Sequence, residues 1–162
     1  AYIAAPEGAE AALAGPYPFQ MISYHGRQSA HSSFSNVPEL AVVVPRRLSV
    51  NPVDAERLQI ASGALVVVEN DRGALVCRAR VTPRIMPGVV ALPEGAWHDA
   101  DMQGDRLDWG GCANTISSDE PTAWSHGNPH NSCLVRLRHL TDAERAEAAL
   151  REAEAGRGEE AR

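Results

Sequence analysis

The 162-residue chain contains no lysine, so arginine supplies all 15 of its basic side chains. Arginine is a permanently charged planar group that suits phosphate and carboxylate partners, but a biased genome composition gives the same result and is the simpler explanation. The 21 acidic residues leave a formal net charge of −6. This balance argues against nucleic-acid binding, which needs a basic face. No apolar run approaches the roughly 20 residues of a membrane-spanning helix, and no basic segment precedes one as in a signal peptide.

Cysteine is scarce as well. Cys77, Cys112 and Cys133 stand far apart and form no CxxC pair, so neither a zinc site nor a thioredoxin-like centre is expected from them. Their odd number does not suggest a disulfide framework. We expect each of them to be a small, buried, apolar residue.

Composition divides the chain into three parts, although its length fits one domain of about 100–200 residues. Residues 1–16 are rich in alanine, glycine and proline and are predicted to be a linker from preceding sequence. Residues 17–140, with 11 arginines against 12 acids, are the predicted folded unit. Residues 141–162 carry 7 acids against 4 arginines and open with the capping-box pair Thr141 and Glu144. They predict an acidic helical tail that has little to bury and should fray.

Short β-branched and alternating runs predict a mainly β domain. Apolar residues alternate with arginines along 74–82 and 133–140, as in strands with one buried face. Asn51 and Pro52 suit the start of a short helix that should stop before Gly63. The predicted strands are 19–24, 41–44, 48–50, 65–69, 74–82, 89–92 and 133–140, with a hairpin turn at 70–73. Six or more short strands separated by long loops favour a closed barrel or a sandwich.

The first candidate site lies in a polar loop, in which His25-Gly26-Arg27 is followed by His31-Ser32-Ser33. A guanidinium group grips an anion with two parallel hydrogen bonds, and hydroxyl and backbone N–H groups complete a cradle around it. A phosphate or pyrophosphate is the expected ligand. A solvated loop with scattered polar residues is an equally open interpretation.

Two further candidate segments, 110–115 and 127–132, combine glycine with asparagine. An asparagine amide offers one acceptor and two donor hydrogens, which suits the edge of a heterocycle. Asparagine is also common in turns with no ligand, so turn formation is the alternative.

Several other patterns are weaker. His126 and His130 have the spacing of a metal pair, but Gly-Asn-Pro between them excludes a helix. A hydrolase that uses Ser32 with His25 or His31 lacks the G-x-S-x-G turn of the α/β-hydrolases.

The acidic and aromatic residues of the second half also carry weak signals. The series Asp99, Asp101, Asp105 and Asp108 lacks the spacing of a calcium-binding loop. The three tryptophans can stack on a planar ligand, but we expect at least two of them to cap the core instead. They are Trp97, Trp109 and Trp124.

The order of the motifs along the chain is more specific than any one of them. The series is Tyr17-Pro18-Phe19-Gln20-Met21-Ile22, then His25-Gly26-Arg27 with His31-Ser32, Val50-Asn51-Pro52-x-Asp54-Ala55, Asn70-Asp71-Arg72-Gly73, the run 81–92 (VTPRIMPGVVAL), Glu94-Gly95-Ala96-Trp97, Gly110-Gly111-Cys112-x-Asn114 and Gly127-Asn128-Pro129. Over about residues 17–140 it resembles the C-terminal molybdopterin-dinucleotide-binding domain of the dimethyl sulfoxide reductase family. The resemblance is strongest to the catalytic subunits of the anaerobic, iron–sulfur-dependent, membrane-associated members.

This resemblance implies a six-stranded double-psi β-barrel, of the aspartate-decarboxylase-like type, with one or two short helices. It also implies a bis(molybdopterin guanine dinucleotide) cofactor with molybdenum, over which the domain closes. No catalytic residue or metal ligand is implied within this chain. The residues implied to bind the cofactor are His25, Arg27, His31 and Ser32 in the pterin and phosphate region, Asn114 and Thr115 at the pterin, and Asn128 and Asn131 in the last loop.

The family reduces S-oxides or N-oxides, such as dimethyl sulfoxide, by oxygen-atom transfer to molybdenum. Its molybdenum ligand and iron–sulfur cysteines lie in earlier domains, so this chain is expected to be a fragment or separate piece, incomplete as an enzyme. The implied partners are the remainder of the catalytic subunit, an iron–sulfur electron-transfer subunit and a membrane anchor subunit. The implied location is periplasmic or at the cell membrane. The alternative is a double-psi barrel that serves as an interaction module without a redox cofactor.

Overall fold

The computed structural model describes residues 7–35, 37, 39–40, 46–122, 124–129 and 131–160. Its elements in chain order are α1 (Ala9–Ala14), β1 (Phe19–Tyr24), β2 (Arg47–Val50), α2 (Pro52–Arg57), β3 (Leu65–Asn70), β4 (Gly73–Val81), β5 (Val89–Pro93), a 3₁₀ turn (Ala113–Thr115), β6 (Cys133–Arg138) and α3 (Asp142–Glu160). The six predicted strands that fall on described residues are all present, with limits within two residues of those expected. The strand predicted at 41–44 lies outside the described residues.

The six strands close into a barrel in the order β1-β5-β2-β4-β3-β6, and β6 pairs back with β1. The pairs β1–β5 and β2–β4 are parallel, and the other four pairs are antiparallel. Closure leaves none of the six described strands with an unpaired edge. The predicted six-stranded double-psi β-barrel is confirmed.

Strand direction decides which loops share an end of the barrel. β1, β3 and β5 run one way and β2, β4 and β6 run the other. Consequently the last residues of β1, β3 and β5 lie at the same end of the barrel as the first residue of β6. These residues are Tyr24, Asn70, Pro93 and Cys133. We call this the loop end. The segments that follow β1 and β5 and the segment that precedes β6 all emerge there.

The period-two pattern of the strands produces the core. Leu75, Cys77 and Ala79 of β4 point into the barrel and are buried, while Arg78 and Arg80 point outward. Val135 and Leu137 do the same on β6. The strand faces predicted from alternation are therefore confirmed.

Helix α2 sits at the end opposite the loop end and begins as predicted. The Oδ1 atom of Asn51 accepts a hydrogen bond from Val53 N–H (2.9 Å), which caps the helix, and Pro52 occupies its first turn. The buried carboxylate of Asp54 accepts from Gly88 N–H (2.7 Å) and ties the helix to the link before β5. The Asn51 cap, which is local in sequence, and the hydrogen bond between Gly88 and Asp54, which is long-range, thus both fix the position of α2.

Two helices lie outside the barrel. α1 falls within the predicted linker and was not expected, although its alanine-rich sequence favours helix; Ala12 packs it onto the barrel. At the start of α3, Thr141 and Glu144 form the predicted capping box. α3 buries more than expected, because Ala148 packs against the outer face of the barrel. Among the described helices, none combines the length and apolarity needed to cross a bilayer.

Candidate functional site

The loop after β1 is fixed against the segment after β5. The indole Nε1–H of Trp97 donates to the carbonyl of Ser32 (2.8 Å), and the Ser35 hydroxyl donates to the carbonyl of Gly95 (2.8 Å). Gly95 has φ +92°, and a Cβ there would lie 2.0 Å from the carbonyl oxygen of His31. Only glycine allows this approach. Contacts between the segments that follow the neighbouring strands β1 and β5 therefore hold this loop in position.

Within this loop, His25 and His31 converge on one carboxylate. Nδ1 of His31 lies 2.8 Å from Oε1 of Glu94, and Nε2 of His25 lies 3.9 Å from the same atom. The two imidazole rings meet edge to face, with centroids 4.8 Å apart. His31 also has a left-handed backbone, with φ +52°. The structure thus brings two of the predicted residues together around an acid that the sequence analysis did not single out.

Arg27 and Ser32 occupy the exposed side of the loop. A cavity of about 400 Å³ opens there and is lined in part by Arg27, Arg46 and Phe34. The Arg46 guanidinium donates to the Ser35 hydroxyl (2.6 Å). Two arginines in a cavity of this size suit an anionic ligand. No hydrogen bond joins the Ser32 hydroxyl to a histidine among the described residues, so the structure gives no support to the hydrolase interpretation.

The second predicted segment is organised by a buried acid. Asp108 is fully buried, and its Oδ1 accepts from the N–H groups of Asp99 (2.8 Å) and Gly110 (2.9 Å). Its Oδ2 accepts from Cys112 N–H (2.7 Å) and from the Thr115 hydroxyl (3.0 Å). Four hydrogen bonds satisfy both oxygens of the carboxylate and compensate for its burial.

The 3₁₀ turn that carries Asn114 and Thr115 lies at the loop end, beside the β3–β4 hairpin. Nδ2 of Asn70 donates to the carbonyl of Ile116 (2.8 Å), and the carbonyl of Thr115 packs against Gly73. Asn114 is exposed at the tip of the turn. The two predicted residues therefore differ in what they offer a ligand. Asn114 is exposed, whereas the Thr115 hydroxyl already donates its hydrogen to Asp108.

In the third segment, the side chain of Asn131 bonds to β1, just before β6 begins, whereas Asn128 lies in the exposed loop. Oδ1 of Asn131 accepts from the N–H of Ser23 (3.1 Å), which extends the pairing of β6 with β1. Among the described residues, the Asn131 amide nitrogen donates to no acceptor. Asn128 is exposed. His130 lies outside the described residues, so the histidine pair cannot be placed.

The expectation that at least two tryptophans cap the core is wrong. Trp97 and Trp124 are largely exposed, and Trp109 packs outside the barrel under α3, so no pair of tryptophans caps the core. The acidic series forms local turns: the carboxylates of Asp101 and Asp105 each accept a backbone N–H two residues ahead.

The cysteines behave largely as predicted. All three are free; Cys77 and Cys133 are buried, and Cys112 is partly buried. Burial raises the pKa of Cys77 to about 12 and also raises the pKa of Cys133. Neither buried thiol is a nucleophile at neutral pH.

The comparison with protein families decides the identity of this barrel. The description "Molydopterin dinucleotide binding domain" matches residues 19–134, from the start of β1 into β6. The chain belongs to this family.

Two relatives give the family context of this molybdopterin-dinucleotide-binding domain. Dimethyl sulfoxide reductase DmsA of Haemophilus influenzae is 40% identical over 124 residues, which are 76% of this chain and 15% of DmsA. A trimethylamine-N-oxide reductase of the same organism is 33% identical over 128 residues, which cover 75% of this chain and 16% of the reductase. The chain thus spans about one sixth of the length of these relatives.

A solved structure supports the fold independently. Acetylene hydratase from Pelobacter acetylenicus superposes with a TM-score of 0.69 at 18% identity, over 86% of this chain and 21% of the hydratase. At that identity the similarity establishes the fold alone.

Four residues that shape this molybdopterin-dinucleotide-binding domain were missed by sequence reasoning. Glu94 lies in a motif to which the sequence assigns no role, Trp97 is predicted only to stack on a ligand or cap the core, and Asp108 stands out only as part of an acidic series. Nothing local distinguishes Arg46 from the other arginines. Each of the four acts through a partner at least four residues away, and most through partners much farther along the chain.

Proposed function

We propose that this chain is the cofactor-binding C-terminal part of a molybdenum oxidoreductase that reduces S-oxides or N-oxides such as dimethyl sulfoxide. Family membership across the whole barrel carries the proposal. The names of the relatives, reductases of dimethyl sulfoxide and trimethylamine N-oxide, support the substrate class. In this proposal residues 17–140 form the cofactor barrel, residues 1–16 connect it to preceding sequence, and residues 141–162 form the acidic helical tail.

The residues at the loop end fit a long, anionic, heterocyclic ligand. Arg27 and Arg46 beside the 400 Å³ cavity suit a pyrophosphate. The exposed amides of Asn114 and Asn128 suit the donor- and acceptor-rich edges of pterin and guanine rings. This donor set supports bis(molybdopterin guanine dinucleotide) as the cofactor.

The predicted residues take different roles in this proposal. His25, Arg27, His31 and Ser32 hold the phosphate region, and Asn114 and Asn128 contact the rings. The Thr115 hydroxyl already donates its hydrogen to Asp108, and the Asn131 side-chain oxygen already accepts a hydrogen bond from Ser23 N–H. They contribute mainly by holding their segments, with the Thr115 oxygen and the Asn131 amide nitrogen left for the ligand.

The metal of the bound cofactor supplies the oxygen-atom transfer chemistry, and no catalytic residue is proposed in this chain. Its side chains bind and orient the cofactor and exclude water from one side of it. An unpaired polar group buried by the cofactor costs about 1–3 kcal/mol, so each ring edge needs a partner from these loops.

The proposed setting is the parent complex of the reductases. The barrel completes the remainder of a catalytic subunit, which works with an iron–sulfur electron-transfer subunit and a membrane anchor subunit. The iron–sulfur cluster of the catalytic subunit itself is expected in the part that precedes this domain. The complex is proposed to be periplasmic or associated with the cell membrane. The family match favours this setting over a barrel that acts only as an interaction module.

The test uses Arg27→Ala in the complete catalytic subunit. Loss of a charge-assisted contact of about 1.5–3 kcal/mol should weaken cofactor retention about tenfold or more. Metal analysis of the purified subunit measures molybdenum against tungsten, and acid release of the nucleotide identifies guanine. Arg84→Ala is the matched control, because Arg84 is exposed at the opposite end of the barrel. Wild-type metal and nucleotide content in Arg27→Ala, or equal loss in both variants, would reject the site.

A further inference from the structure

A compact group of three potential metal ligands lies on the loop after β1 and the segment after β5. It consists of His25, His31 and Glu94, whose nearest nitrogen and oxygen atoms all lie within 4.8 Å of one another. In the described part of the chain no other group of three or more histidine, cysteine or acidic residues converges in this way. We propose that these three residues bind a divalent metal ion of the zinc class.

The distances suit a tetrahedral site. Metal–ligand bonds of about 2.0–2.2 Å place two ligands of a tetrahedral zinc ion about 3.3–3.6 Å apart. The Glu94 oxygen lies 2.8 Å from the His31 nitrogen and 3.9 Å from the His25 nitrogen, on either side of this value. The whole group lies within 4.8 Å, so side-chain adjustments of up to about 1.2 Å bring the three ligands to this spacing.

The ligand set indicates which metals fit. Two imidazoles with one carboxylate suit zinc, copper, nickel or iron(II), whereas magnesium and calcium prefer oxygen ligands alone. The side chain of His31 is 80% exposed and that of His25 is 49% exposed, so an ion reaches the group from solvent without a path through the protein. Three protein ligands leave a fourth position for water or for an oxygen of an anion.

The backbone that carries the ligands is already fixed. Glu94 N–H donates to the carbonyl of Tyr24 (3.0 Å), the residue before His25. Gly95 packs directly on the carbonyl of His31, and Trp97 holds the next carbonyl of the loop. The ion need not order this loop on binding, which reduces the entropic cost of association. The left-handed backbone of His31 is the kind of conformation that recurs at ligand clamps.

His25 and His31 also belong to the proposed cofactor site, so this inference concerns the chain alone, with no dinucleotide present. Its failure would leave the proposed function untouched, because that proposal is tested through Arg27. The chain is titrated with Co²⁺, whose visible absorption reports coordination, and the bound Co²⁺ is then displaced with Zn²⁺. We expect saturable binding of one ion per chain. His25→Ala, His31→Ala and the isosteric Glu94→Gln should each weaken binding at least about tenfold, with circular dichroism confirming that each variant is folded.

Matched controls separate this site from adventitious binding. His98→Ala removes an exposed histidine outside the group, and Cys112→Ser removes the partly exposed thiol. Both should leave the affinity unchanged. In the wild type, Zn²⁺ should shift the imidazole NMR signals of His25 and His31 but not that of His98. The proposal is rejected if no saturable 1:1 binding occurs, if Glu94→Gln and His31→Ala bind like the wild type, or if the controls lose as much affinity.

Discussion

The hydroxyl of Thr115 donates a hydrogen bond to the carboxylate of Asp108 across 3.0 Å, and Asp108 has no exposed surface. The same carboxylate accepts hydrogen bonds from three backbone N–H groups, those of Asp99, Gly110 and Cys112. Asp108 also pairs through its backbone with Ala74 and Val76 of β4. One buried acid thus connects the barrel wall to the turn that presents Asn114.

Asp108→Asn is predicted to destabilise the domain by about 2–4 kcal/mol, although the two side chains have nearly the same shape. Each carboxylate oxygen of Asp108 accepts two hydrogen bonds, so the amide NH₂ of asparagine faces two donors in either orientation. Urea denaturation of the chain measures the loss.

Asp105→Asn is the control for this prediction. Asp105 is exposed, and its Oδ1 accepts one backbone N–H, from Leu107 (3.0 Å), which an asparagine oxygen can also do. We expect a change below about 0.5 kcal/mol. Equal effects of the two substitutions would show that the Asp108 hydrogen bonds contribute nothing specific.

Gly95→Ala is predicted to be much more destabilising than Gly63→Ala. Both glycines have φ near +90°, so alanine suffers a similar backbone penalty of about 1–2 kcal/mol at each. A Cβ at position 63 meets no atom within 4 Å, whereas one at position 95 overlaps the His31 carbonyl. The difference between the variants therefore isolates the contact between the β5 segment and the loop after β1.

Thermal unfolding measures this difference. For a chain of this size about 1 kcal/mol corresponds to about 2–4 °C in Tm, so Gly63→Ala should lower Tm by about 2–8 °C and Gly95→Ala by clearly more. Similar Tm values for the two variants would mean that the loop moves away at little cost and is not fixed as described.

Sequence reasoning succeeded where the signal is local. Alternation along β4 and β6, the Asn51 cap and the capping box of α3 each involve residues within a few positions of one another, so the pattern alone identifies them. The order of motifs then identified the barrel. The interior of the site could not be predicted in this way, because Glu94 meets His31 across 63 positions and Trp97 meets Ser32 across 65. Such contacts depend on strand order, which no local pattern contains.

Stability is predicted to fall between about pH 4.5 and pH 2 because of Glu144. The hydrogen bonds from Arg138 hold the pKa of this carboxyl at about 2, below its ordinary value of 4.5. A carboxyl with a lowered pKa stabilises the fold above its unfolded pKa, and the contribution disappears as the pH falls through the folded value. Arg138, whose pKa the same contact raises, stays charged throughout.

Glu144→Gln checks this dependence. The pair is partly exposed, so the variant should lose about 1 kcal/mol, or about 2–4 °C in Tm, at pH 7. The difference from wild type should shrink towards zero near pH 2. Glu154→Gln changes an exposed acid farther along α3 and should follow the wild type at every pH. A constant difference across the pH range for Glu144→Gln would contradict the assignment.

Arg151 is predicted to hold the segment that leads to Asp108. Its guanidinium lies 5.2 Å from the ring centre of Trp109, donates to Asp99 (2.9 Å) and is supported by Glu147 one turn earlier (2.8 Å). Arg151→Ala removes a cation–π contact and an ion pair that join α3 to residues 99–109. We expect hydrogen exchange in that segment to accelerate severalfold while exchange in β1 and β5 is unchanged, since local opening needs only these contacts to break. Arg145→Ala, which removes a pair with the exposed Asp142 on the same helix, should leave the segment as it is. If hydrogen exchange in residues 99–109 is the same in both variants, α3 does not stabilise this segment, and the barrel alone sets the position of Asp108.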